Sequence, residues 1–221
     1  MAPDKDTKLA KYRPLLWILI IPLLNICYGL LNHEGSRVSN LMTELDAQIP
    51  FVPAFIIPYM LWYPFIMVML IVIFRKSEKT YYQTLITLCV GLVVSYVIYY
   101  FYQTTVPRPP VTEHGVIPSL VRFIYMTDQP YNCFPSIHVL TSYLVWKGSA
   151  DCEDLSFISR SLISVMMGAI VLSTLFVKQH YILDIAGAIF IVQVLYYFTG
   201  KMLPVKLRVQ NKASINKPLN E

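Results

Sequence analysis

Three stretches of this sequence hold residues whose types and spacing suit chemistry on a phosphate. His180 and Asp184 stand four residues apart at the start of the last apolar run. On a helix that spacing puts both side chains on one face. A carboxylate there can accept a hydrogen bond from one imidazole nitrogen, leaving the other free as nucleophile or base. The pair would also serve simply to satisfy itself. An aspartate in an apolar run is costly, however, and function is the default expectation. The segment Cys133-Phe134-Pro135-Ser136-Ile137-His138 reads as a helix start, with Pro135 stopping any upstream helix and Ser136 as N-cap. Free amides and the positive dipole end of such a helix suit a phosphate, and His138 falls in its first turn. Taken alone, the segment is equally a capped helix with an interfacial histidine. Arg108 lies between Pro107 and Pro109, so a rigid loop would pre-position it for a bidentate phosphate contact. In isolation it would be a solvated turn charge.

These residues must be positioned in lipid. The chain has 221 residues, 56% of them hydrophobic and 14% charged, against about a quarter charged in soluble domains. A span needs about twenty apolar residues. Six runs are expected to cross: Leu15 to Leu31, Ala54 to Phe74, Thr84 to Tyr102, a short fourth from Ser136 to Trp146 or slightly beyond, Phe157 to Val177, and Tyr181 to Phe198. The first lacks a small-x-small cleavage pattern at Asn32 and His33, so it reads as a retained span rather than a signal peptide. The fourth suits a helix shielded by its neighbours. Between the first two, Val38, Leu41, Met42, Leu45 and Ile49 recur at helical spacing, which predicts an amphipathic interfacial helix. Thr104 to Pro135 holds six of the fifteen prolines and reads as a long, rigid, non-helical loop. The expected fold is an all-α membrane protein of about six transmembrane helices. Residues 1–14 form an N-terminal segment, 15–200 the membrane domain, and 201–221 a basic tail.

Charge placement sets an orientation. With both termini in the cytoplasm, fourteen of the eighteen Lys and Arg residues fall inside, and only Arg37, Arg108, Arg122 and Lys178 fall outside. Nucleic-acid binding is therefore a poor explanation of the net +5 charge, and anionic lipid headgroups are a better one. The same topology gathers Arg108, His138, Lys178, His180 and Asp184 at one outer depth. Trp17, Trp146, Tyr81 and Tyr82 fall near expected interfaces as an aromatic belt. Cys27, Cys89, Cys133 and Cys152 lack metal-ligand spacing and a disulfide framework. His33 and His114 are expected at the surface.

Together these segments resemble the type 2 phosphatidic acid phosphatase superfamily, whose fold is shared with vanadium haloperoxidases. Its first motif ends in Arg-Pro, as Arg108-Pro109 does. Its second, Pro-Ser-Gly-His, is matched by Pro135-Ser136-Ile137-His138 with Ile for Gly. In the third, a Ser seven residues before a His and an Asp four after it correspond to Ser173, His180 and Asp184. The resemblance implies that His180, oriented by Asp184, attacks phosphorus to form a phosphohistidine, and that His138 protonates the leaving oxygen. It implies no metal and no other cofactor. Two cations of the pattern are missing, since Phe101 stands where a Lys is usual and Thr174 where an Arg is. Lys178 is the best substitute and Arg122 the next. The expected phosphate-binding residues are thus Arg108, Lys178, Ser136 and Arg122. The Phe-Val-Lys-Gln-His-Tyr context resembles the branch containing inositol phosphorylceramide synthases.

The leading expectation is a membrane enzyme hydrolysing a lipid phosphate or pyrophosphate, with its site on the extracellular or lumenal side of a cell membrane. A lipid phosphotransferase using the same residues is the first alternative. A transporter or lipid-binding protein with intramembrane charges is the second, disfavoured by the lack of an inverted repeat or paired Gly/Pro-broken half-spans.

Overall fold

The computed structural model describes residues 11–203; most of the expected N-terminal segment, 1–14, and of the expected basic tail, 201–221, lies outside the described residues. Eight helices are described. Helix α1 spans Arg13–Leu31 and opens as a 3-10 turn over Arg13–Leu19. Strand β1 is Val38–Ser39 and α2 is Glu44–Gln48. Helix α3 runs over Pro53–Lys76 and α4 over Glu78–Phe101. Strand β2 is Gln103–Thr104, followed by α5, Val116–Thr127, and α6, Ile137–Ala150. Helix α7 is Phe157–Phe176 and α8 is Ile182–Met202. Five of these, α1, α3, α4, α7 and α8, are long and apolar enough to cross a membrane. Their outward faces are apolar, as with Leu16, Leu23 and Leu30 on α1 and Phe157, Leu162 and Val165 on α7. Lipid is the solvent that such faces fit.

Helix α6 holds the centre. It packs against α3, α4, α7 and α8, and Val139, Leu140, Leu144 and Val145 are fully buried. Its fourteen residues give a length of about 21 Å, short of a hydrocarbon core of roughly 30 Å. It is thus shielded by longer neighbours, as its weak apolar signal suggests. The helices come close where side chains are small. A Cβ on Gly148 of α6 would stand 2.3 Å from Thr84 Oγ1 of α4 and 3.2 Å from Ile73 of α3.

Helix α3 breaks at Leu61. Pro64 has no N–H for the carbonyl four residues back, so the ladder is interrupted there. Tyr59 and Trp62 flank this break, and both face α6.

Three expectations change. The amphipathic helix over Val38 to Ile49 does not form. Val38 and Ser39 pair in parallel with Gln103 and Thr104, and only α2 is helical, opened by Thr43, whose Oγ1 accepts from Asp46 N–H. The reason is Asp46, which turns inward and is buried rather than lying on a solvated helix face. The proline-rich loop is also not uniformly non-helical, because α5 occupies its middle. Pro118 sits in the first turn, where its missing N–H breaks no bond. Ile117, Leu120, Val121 and Ile124 then pack with Phe51, Ile56, Tyr59 and Val177. Tyr81, finally, is core rather than belt, fully buried with its hydroxyl donating to Pro14 O at 2.7 Å.

Gly148→Leu should overpack the contact between α3, α4 and α6 and destabilise by about 1–3 kcal/mol, read as a lower midpoint in thermal unfolding of detergent-solubilised protein.

Candidate active site

The far ends of α4 and α7 and the near ends of α6 and α8 meet at one end of the bundle, where loops bind them together. Thr104, emerging from α4, is buried, and its Oγ1 accepts from Cys133 N–H at 3.1 Å and Phe134 N–H at 2.8 Å. Tyr99 OH donates to Pro135 O at 2.5 Å. Ser136 is the N-cap of α6, its Oγ accepting from Val139 N–H at 3.3 Å, and its own N–H donates to Asp184 O at 3.2 Å. The starts of α6 and α8 are therefore tied directly to each other.

That tie brings the two histidines together. His180 Nε2 lies 3.4 Å from His138 Nδ1. His180 is not itself helical, since α8 begins at Ile182. It reaches Asp184 because that carboxylate turns back over the helix start. Asp184 Oδ2 accepts from Tyr181 N–H at 2.8 Å and lies 3.4 Å from His180 Nδ1. Nδ1 also lies 3.0 Å from Cys133 O. Both neighbours of Nδ1 are acceptors, so the proton belongs on Nδ1 and Nε2 carries the lone pair. The hydrogen between the rings then comes from His138 Nδ1. The His138 ring is held between Tyr59, with centroids 4.5 Å apart, and Trp62, at 4.1 Å. Burial pushes the Cys133 thiol well above its ordinary value, with Asp184 adding to the effect and Arg108 opposing it, so it stays a neutral wall residue.

Arg108 joins the histidines in lining one small void, with Tyr28, Asp128, Asn132 and Gln179. Its guanidinium donates to Asp128 O at 2.6 Å, to Tyr125 O at 3.2 Å and to Gln179 Oε1, and stacks on the Tyr125 ring at 4.7 Å. Asp128 accepts from Tyr28 OH at 2.7 Å, Asn32 Nδ2 at 3.0 Å and Tyr59 OH at 3.2 Å. A second cavity, of about 340 Å³, also touches His138 and is lined by Asn25, Tyr28, Tyr59, Tyr63 and Asp128. The other two expected cations are engaged elsewhere. Lys178 Nζ donates to the carbonyls of Asp46 and Ile49, and burial holds it below its ordinary value against the opposing pull of Asp46. Arg122 donates to Val111 O at 3.2 Å and Glu113 O at 2.7 Å. Neither lines the void.

A sequence model described as the PAP2 superfamily matches residues 36–198, about three quarters of the chain. The chain belongs to the PAP2 superfamily. No curated protein and no solved structure matches it. Membership suggests phosphatase or phosphotransferase activity, and it coincides with the site's geometry on residues 108 to 184. The two positions where the resemblance leads one to expect a cation look unlike each other. Phe101 is 80% exposed on the outer face of α4, whereas Thr174 is fully buried with Oγ1 donating to Val171 O at 2.7 Å. Ser173 is likewise turned into its own helix, donating to Ile170 O at 2.6 Å.

Sequence reasoning missed Asp46, Asp128, Asn132 and Gln179. Asp128 and Asn132 carry no local signal, because their roles depend on residues 20 to 100 positions away. Asp46 has a partial one, the Thr43-x-x-Asp46 capping pattern. Its other oxygen does more, since Oδ1 accepts from Ile182 N–H at 2.9 Å and so caps α8 from outside. Asp46→Ala should unpair that amide and the Thr43 amide together and cost at least about 2 kcal/mol. Thermal unfolding would show the loss as a lower midpoint.

Proposed function

We propose that this PAP2-superfamily protein is a membrane phosphatase that releases phosphate from a lipid phosphate or pyrophosphate through a phosphohistidine at His180. The observation that carries the reading is the hydrogen-bonding of the two rings: acceptors hold Nδ1 of His180, and its Nε2 faces a proton-bearing nitrogen of His138. In the first step His180 Nε2 attacks phosphorus, the bond to the lipid oxygen breaks, and His138 gives that oxygen its proton. Asp184 and Cys133 O stabilise the positive charge that develops on the imidazole. Arg108 offsets charge on the phosphoryl oxygens, and the positive dipole end of α6, on which His138 sits, favours the same anion. In the second step water, relieved of a proton by His138, attacks the phosphohistidine and frees His180. The 3.4 Å between the rings is too little for an in-line phosphoryl group, so substrate entry must part them. Lys178 serves this site by fixing α2, and Arg122 by bracing the loop before α5.

The reading places the site on the non-cytoplasmic side, with both termini in the cytoplasm. Lys76, Lys147, Arg160 and Lys201 lie at the bundle end opposite the histidines, and Lys76 and Arg160 bind the carbonyls of the α6–α7 loop there. That is the asymmetry the positive-inside rule describes. A phosphotransferase using the same residues is the second reading. It is favoured by the cavity beside His138, whose Asp128, Asn25 and tyrosine hydroxyls suit an alcohol-bearing acceptor in place of water.

His180→Ala should abolish phosphate release from a panel of lipid phosphates, a loss of roughly 10³-fold or more. Asp184→Asn should fall by a similar order, because the amide cannot supply the carboxylate's charge. His138→Ala should lose about 10²–10⁴-fold on alkyl phosphates and far less on an activated aryl phosphate, whose leaving group needs no proton. Equal losses on both would end the general-acid role. Full activity in His180→Ala would end the phosphatase reading.

A further inference from the structure

Among the described residues, three side-chain nitrogens are buried with no hydrogen-bond partner: Arg108 Nε, Asn132 Nδ2 and Gln179 Nε2. All three residues line the void that His138 and His180 share. The two unpaired acceptors nearest in sequence, Asn32 Oδ1 and Asp184 Oδ1, belong to residues outside that lining. Buried donors without acceptors are rare and call for a reason. Here they converge on one place.

The orientation of each carboxamide follows from donor and acceptor types. A guanidinium only donates, so Gln179 must offer Oε1 to Arg108, and its NH₂ is left buried without an acceptor. Gln103 Oε1 accepts from Gly35 N–H at 2.7 Å, which leaves the Gln103 NH₂ for Asn132 Oδ1 at 3.0 Å. The Asn132 NH₂ is thereby turned away from Gln103. Gln179 is 3% and Asn132 2% exposed, so bulk water does not readily take the acceptor's place. The backbone is arranged to hold them as well. Asn132 and Lys178, the residue before Gln179, are left-handed at φ 60° and 53°. Non-glycine residues in that region cluster at functional sites. After Lys178, the N–H groups of Gln179 and His180 both donate to Thr174 O at 2.9 and 3.1 Å, fixing the two side chains next to each other.

We infer that the carboxamides of Gln179 and Asn132, together with Arg108 Nε, form the oxyanion cradle of this site. The inference rests on the phosphoryl-transfer reading above and names which groups hold the phosphoryl oxygens. Neutral amides do the work for which the superfamily pattern uses a Lys and an Arg, at positions taken here by Phe101 and Thr174. Gln179 and Asn132 touch the phosphoryl group, while Gln103 positions Asn132.

The test measures binding of inorganic phosphate and orthovanadate to purified full-length protein in detergent, by titration calorimetry, with thermal unfolding alongside. Gln179→Glu keeps the acceptor that Arg108 needs, and Asn132→Asp keeps the acceptor that Gln103 needs. Each replaces the free NH₂ by a negatively charged oxygen. Both variants should weaken anion binding tenfold or more, with the unfolding midpoint held or, for Gln179→Glu beside Arg108, raised. A merely structural role would move stability and affinity together. Wild-type affinity in both variants overturns the cradle, as does a wild-type protein that binds neither anion. These measurements need no turnover. Lipid phosphate release by the wild type, assayed separately, decides the enzymatic reading by itself.

Discussion

The carboxylate of Asp184 is completely buried, at 0% exposure, and the site is tied together by the partners of its Oδ2 alone, Oδ1 having no hydrogen-bond partner. No lysine or arginine lies within ion-pair distance of it among the described residues. Its compensation comes instead from the first turn of α8, through Tyr181 N–H, and from His180 Nδ1. A carboxylate at a helix N-terminus also gains from the peptide dipoles. Any shift of His180 or of the start of α8 would leave a buried charge short of partners, which is among the costliest errors a fold can make. The orientation of His180 and the helix start are therefore locked to each other. The backbone carbonyl of the same residue accepts from Ser136 N–H, so the helix bearing His138 is registered against the same point.

Around that centre the structure uses distant segments as braces. Asp46, 138 positions upstream of Asp184, caps the first amide of α8, and the Lys178 ammonium holds the carbonyls that end α2. Thr104 pins the approach to α6 by two backbone amides. On the far side of His138, the break in α3 lets Tyr59 and Trp62 face one ring from adjacent turns. These contacts are polar at the backbone and aromatic at the ring. That combination holds the ring of His138 through contacts that themselves carry no charge.

That the chain is built of apolar helices, and where its motif segments lie along it, were legible because each is a local signal, although six crossings were expected and five helices are long and apolar enough to make one. A run of apolar residues reports a span, and Pro-Ser before an apolar stretch reports a helix start. The resemblance rests on short spacings inside single segments, and the PAP2 match agrees with it. The segment from Val38 to Ile49 misled because periodicity reports only which faces are apolar. It does not say that Asp46 has a partner at Ile182. The proline-rich loop misled in the opposite sense, since a proline in a first turn breaks nothing, and the Ile117, Leu120, Val121, Ile124 stripe was hidden by proline count.

By itself the sequence determined that this is a lipid-solvated helical chain, that His138, His180, Asp184 and Arg108 sit in segments ending at one face, and which superfamily they resemble. Only the tertiary structure decided what surrounds them: Gln179 beside Arg108, Asn132 turned by Gln103, Asp128 among tyrosines, and Lys178 and Arg122 drawn off to backbone carbonyls. The physical reason is that hydropathy and capping act over a few residues along the chain, whereas the direction of a buried polar group depends on which donors and acceptors packing brings to it. Those partners come from residues as many as 132 positions apart, and no pattern in a single segment encodes them.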